Sequence, residues 1–146
     1  MKRFCFILFS ALFLTMLSSC VKDNTNIPFI NDEEIFGTIW TPVDFVKDID
    51  DFSPAQIICN KNKPFFIKRI IFEPNGKVTY EYKNGVSINR WSKGFIINDT
   101  HQTVSTYTAK QIEGKKYLFV QWKPFFDYQL LRGLPSYYVL VERSDK

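Results

Sequence analysis

His101 is the chain's one histidine, and it lies in Asn98-Asp99-Thr100-His101-Gln102, a polar stretch of turn-forming residues. An imidazole there would need a nucleophile to activate, and no Gly-x-Ser-x-Gly elbow occurs. Zinc takes three or four ligands from Cys, His and carboxylate. A single histidine and the isolated Cys59 do not make such a set. The 6 glycines form no phosphate-cradling cluster, which speaks against nucleotide binding. Paired carboxylates for glycoside hydrolysis have two candidate groups, Asp48, Asp50 and Asp51 in one and Glu73 with Glu81 in the other. Charged residues on a solvated face explain both groups more simply. These observations predict no enzyme, no metal and no cofactor.

The residues with chemistry to offer are aromatic and polar: Trp91, Trp122, Lys123, Asp127, Tyr128 and Arg132. Trp and Tyr give stacking surfaces, and Arg gives a planar fork for carboxylate or phosphate. Folded over the mouth of a barrel, these six would line a ligand pocket. The plainer reading places the aromatics in the core and pairs Asp127 with Arg132 or Lys123 at the surface.

The elements that must position them are strands. Val78, Tyr80 and Tyr82 alternate with polar neighbours, the period of a strand with one buried face. Tyr137 to Val141 is apolar on both faces, which predicts a strand covered on both sides. Phe65–Phe72 and Tyr117–Trp122 are β-branched and aromatic runs. Asn75-Gly76, Asn84-Gly85 and Glu113-Gly114 supply turns between them, and Asn-Gly favours the positive φ of tight hairpins. Short strands at this spacing predict an all-β fold, a small antiparallel meander that closes into a barrel. The best helical signal is Val43–Phe52, where Phe45, Val46, Ile49 and Phe52 fall at helical spacing. It predicts one short N-terminal helix packed across an end of the barrel. Gly37-Thr38-Ile39-Trp40 resembles the Gly-x-Trp opening of lipocalin-like (calycin) barrels, with one extra residue; that resemblance implies a Trp plugging the closed end.

The N-terminus reads as an export signal. Met1-Lys2-Arg3 is basic, Phe4–Leu17 carries no charge, and Ser18-Ser19 precede Cys20. The apolar run is shorter than the ~20 residues of a spanning helix. Leu17-Ser18-Ser19-Cys20 resembles the bacterial lipobox, which implies cleavage after residue 19 and lipidation of Cys20. Residues 20–34 then read as a polar tether and 35–146 as a single domain. Lys22-Asp23 resembles the charged signals that send Bacteroidota lipoproteins to the cell surface. Of 3 cysteines, Cys5 leaves with the signal and Cys20 is modified, so Cys59 has no partner for a disulfide. The fold must stand on its core. Loss of Lys2 and Arg3 lowers a formal charge of +4, and the remaining charges are interspersed, so nucleic acid is not an expected partner.

Several blocks of the domain carry a longer resemblance. They are Val43-Asp44-Phe45-Val46, Ile49-Asp50-Asp51-Phe52-Ser53-Pro54, Trp91-Ser92-Lys93-Gly94, Tyr107–Ile112, Gly114–Lys123, Asp127-Tyr128, Arg132-Gly133 and Pro135–Leu140. In this order they resemble a small bacterial domain found alone and also appended to β-lactam-sensor-type membrane metallopeptidases. The resemblance implies a β-rich accessory domain without an established activity. The chain has no His-Glu-x-x-His of the peptidase itself. Gln121 and Pro124-Phe125-Phe126 depart from the more polar pattern of that domain.

The expectation is a lipid-anchored protein of the cell envelope, in the outer membrane, facing the periplasm or the surface. It binds a small amphipathic ligand without catalysis; the alternative is an interaction or inhibitory module for an envelope protein, with a filled core.

Overall fold

A computed structural model describes residues 22–59, 65–122 and 137–143, the side chains of residues 58 and 59 excepted. The proposed signal and Cys20 lie outside the described residues, as does the side chain of Cys59. Eight strands run in order: β1 (Ile39–Val46), β2 (Ile67–Phe72), β3 (Lys77–Tyr82), β4 (Gly85–Ser92), β5 (Phe95–Asn98), β6 (Thr103–Ile112), β7 (Lys115–Gln121) and β8 (Tyr137–Glu142). Each pairs antiparallel with the next, and β1 pairs with β8, from Trp40 opposite Glu142 to Val46 opposite Tyr137. The result is the closed all-β meander barrel that the sequence predicts, of the lipocalin-like kind.

Alternation divides each strand between an inner and an outer face. Trp40, Ile70, Phe72, Val78, Trp91, Leu118 and Leu140 belong to one buried cluster, the barrel interior. Trp40 is the second residue of β1 and fully buried, and its Nε1 donates to Thr38 Oγ1 at 2.6 Å. Tyr117, Phe119, Val139 and Val46 form a second cluster with Phe52, Ile49 and Ile57 on the outer wall. This covering explains why β7 and β8 are apolar on both faces.

Helical structure begins inside the predicted Val43–Phe52 stretch, with the 3-10 turn Ile49–Asp51, and continues past it, while the first part of that stretch is strand. Val43–Val46 belongs to β1, because closure requires that stretch to pair with β8, and a register shift between Pro42 and Asp44 re-aims it. Phe45 then meets Tyr138 on the inside while Val46 lies outside, so the apparent helical spacing is a strand with a bulge. Beyond β1 come a 3-10 turn, Ile49–Asp51, capped by the Asp48 carboxylate, and a short helix α1, Ala55–Cys59. These cover the outer wall of β7 and β8 rather than an end of the barrel.

Part of the stretch read as a tether is hydrogen-bonded to the barrel. Residues 23–36 lie against the barrel, starting at the β5–β6 turn, where the Asp23 amide donates to the Gln102 carbonyl at 3.0 Å. Ser92 Oγ donates to the Pro28 carbonyl and accepts from the Ile30 amide. Phe29 stacks edge-on against Trp91 and fills the space over Gly76, where an added Cβ would stand 2.7 Å from its ring. Ile35 is fully buried and joins the interior cluster at the end where the β2–β3 and β4–β5 turns lie. A polar composition conceals this, since most of the docking is by backbone groups and one or two apolar side chains. Gly76 and Gly114 have positive φ as turn residues should, whereas neither Asn84 nor Gly85 does.

Candidate functional site

One end of the barrel is shut by Ile35, Trp40, Trp91 and Phe72. At the other end, where β1, β3, β5 and β7 finish, a cavity of about 560 Å³ enters the interior. The two sides of its lining differ. On one, Tyr80 and Tyr82 of β3 stack with ring centroids 6.3 Å apart and planes 13° from parallel. Trp122 stands edge-on to Tyr138 at 6.2 Å, and Phe66 closes the aromatic side at the rim. On the other side β4, β5 and β6 present Ser87, Asn89, Asn98, Thr103 and Ser105. Pairing makes this surface continuous, with Asn98 opposite Thr103 and Ile96 opposite Ser105. Ile96 and Val120 line the cavity deeper in.

None of the described lining residues carries a charge. Burial raises the phenol of Tyr80 far above its ordinary value, with the neighbouring Tyr82 and Tyr138 adding to the shift. Burial also raises Tyr82, against a hydrogen bond with Ser87 that lowers it, and pushes Tyr138 up to about 12. These hydroxyls therefore stay neutral at physiological pH and can donate or accept. The cavity offers flat apolar faces on one side and neutral hydrogen-bonding groups on the other.

Of the residues singled out in the sequence, Trp122 lines this cavity. Trp91 does not join it. It is buried in the closed half between Phe29 and Phe72, and its Nε1 donates to the Glu73 carbonyl at 2.9 Å. It is a core aromatic, the plainer of the two readings. Lys123, Asp127, Tyr128 and Arg132 lie outside the described residues. The polar side escapes sequence reasoning because Ser, Thr and Asn in short strands read as solvated. A signal is present nonetheless: Ser87 and Asn89 are in phase with Trp91, so burying the tryptophan turns both of them inward.

The carboxylates considered for hydrolysis do not converge. Glu81 pairs with Arg69 at 2.6 Å, Glu73 with Lys77 at 2.9 Å and Asp50 with Lys110 at 3.0 Å. Hydrogen bonds from Arg69 and from Lys77 hold Glu81 and Glu73 below their ordinary values, as expected of surface ion pairs. Among the described residues no three His, Cys, Asp or Glu side chains gather as metal ligands, and no helix is long and apolar enough to cross a membrane. Comparison with models of protein families, with curated proteins and with solved structures gives no match.

Proposed function

We propose that the chain is an exported, lipid-anchored binding module of the cell envelope that holds a small, uncharged amphipathic molecule in its barrel and performs no catalysis. The cavity with one aromatic and one polar side supports this reading most directly. Its volume of about 560 Å³ falls within the ~300–1,000 Å³ of small-molecule sites. A fatty acid or a phosphate ester would bring its charge against the neutral groups of the described lining, and burying an unpaired charge is costly. A ring or polyene with a hydroxyl or amide edge matches both sides. The cavity weighs against the filled-core alternative. The lipobox-like Leu17-Ser18-Ser19-Cys20 supports the anchor, and the resemblance to a metallopeptidase-appended accessory domain suits a module that reports occupancy.

A matched pair of dyes tests the charge preference. N-phenylnaphthylamine and anilinonaphthalene sulfonate share a skeleton and differ by one sulfonate. Added to the mature chain, residues 20–146 with Cys20→Ala, the neutral dye should bind saturably, and at least ~10-fold more tightly than the anion. Ser105→Phe, which fills the polar side, should abolish the signal. Equal or tighter binding of the sulfonate would overturn the uncharged-ligand reading. Binding of neither dye would count against a carrier altogether.

A further inference from the structure

We infer that the mouth of the cavity faces the bilayer that holds the anchor, so that ligand passes between lipid and barrel without crossing open water. This rests on the lipidation reading of Cys20 and adds an orientation to it.

The first observation is where the N-terminal segment attaches. The Asp23 amide donates to the Gln102 carbonyl at 3.0 Å, and its carboxylate accepts from the Val104 amide at 2.7 Å. Gln102 and Val104 flank Thr103, which lines the cavity. From Cys20 to Asp23 the chain can span no more than ~11 Å, at ~3.6 Å per residue. A lipid on Cys20 is therefore held close to the cavity end.

The attachment is firm along its length. Arg90 donates to the Thr25 and Ile27 carbonyls at 3.0 and 3.4 Å, and Ser92 and Gly76 receive Pro28, Phe29 and Ile30 nearer the closed end. The closed end lies a strand length away, ~26 Å along β1 at ~3.3 Å per residue.

The second observation is independent and concerns the rim. Phe66, just before β2, is 76% exposed and Val86, at the start of β4, is 62% exposed, against 38–55% for Phe29, Ile30, Phe36 and Phe95 at the closed end. Both lie at the cavity end on either side of β3, since Ile67 is opposite Tyr82 and Tyr82 is opposite Gly85. Aromatic and aliphatic side chains at such a rim insert into the headgroup boundary of a bilayer. The anchor tethers the β5–β6 side of the mouth, and Phe66 and Val86 seat the β2–β4 side.

The test uses the full lipidated protein in phosphatidylethanolamine–phosphatidylglycerol vesicles containing a nitroxide-labelled lipid. With Cys59→Ser as background, a fluorophore is placed at Phe66→Cys on the rim or at Lys93→Cys in the closed-end turn. The rim label should be quenched about threefold more strongly, as insertion of an apolar rim by a few Å requires. A long Gly-Ser insertion between Val21 and Lys22 should move that ratio towards one. Equal quenching of the two labels on vesicle-bound protein would overturn the orientation and leave the anchor standing. Protein that fails to float with the vesicles would overturn the lipidation reading itself. Rim quenching unchanged by the insertion would overturn the role of the short reach.

Discussion

Trp91 packs edge-on against Phe29 and Phe72, with centroids 5.2 and 5.8 Å away, and is 1% exposed. Trp122 is only partly buried: it lines the cavity and packs at the margin of the interior cluster, edge-on to Tyr138. The two substitutions should therefore separate stability from binding. Trp91→Ala removes a full core side chain and leaves a cavity, and should cost about 4 kcal/mol in urea unfolding. Trp122→Ala should cost under ~1 kcal/mol, the range of changes away from a packed core, while weakening the neutral dye about tenfold, the worth of a good aromatic contact. Unfolding titrations and dye titrations on the same preparations check both. A stable Trp91→Ala chain that had lost the dye would return Trp91 to the site.

Among the elements, β3 is legible in the sequence because one face is apolar and the period of two declares it, and β8 because it is apolar on both faces. β4 is not, because its inner residues Ser87 and Asn89 are polar while Val86 and Ile88 are exposed on the outside, at 62% and 64%. Hydropathy alone assigns such a strand the wrong faces, and only the phase of Trp91 corrects it. The segment from Asp23 to Glu34 reads as a tether because its partners are distant in sequence. Arg90 and Asp99 hold much of it. Arg90 bonds Asp99 through two nitrogens, at 2.6 and 2.8 Å, while reaching the Thr25 and Ile27 carbonyls. The pair is about half exposed, so solvent screening keeps its contribution small. Arg90→Ala should speed amide exchange at Asp23 and Ile30 by roughly fivefold, about 1 kcal/mol. The hydrogen bond from Arg90 holds the Asp99 carboxyl below its ordinary value. A lowered carboxyl contributes stability that is complete above the unfolded value, near ~3.9, and is lost as pH falls through the folded one. Protection of this segment, corrected for intrinsic exchange, should thus hold steady from neutral pH to about 4 and decline below it. In Asp99→Asn that acid-dependent component should vanish.

At the scale of the whole molecule the decisive contact is the last one the chain makes. β1 and β8 are the first and last strands in chain order, yet Trp40 lies opposite Glu142 and Pro42 opposite Leu140. Tyr138 and Leu140 of β8 fill the interior, and Val139 between them is fully buried under the outer cover with Phe52. One strand thus seals the sheet, completes the core and supports the cover. Without β8, β1 and β7 would become open edges and both apolar clusters would lose a wall, a combination that templates association. A chain ending before Tyr137 should accordingly elute as aggregate and bind no neutral dye. Refolding of the intact chain must wait for this non-local pairing, and should proceed in a single phase on the ms-to-s scale typical of such topologies. Stopped-flow fluorescence of Trp40 and Trp91, both buried in the closed half, tracks that step directly. A truncated chain that stayed monomeric and bound dye would mean that β1–β7 make the cavity alone, and that closure serves stability but not binding.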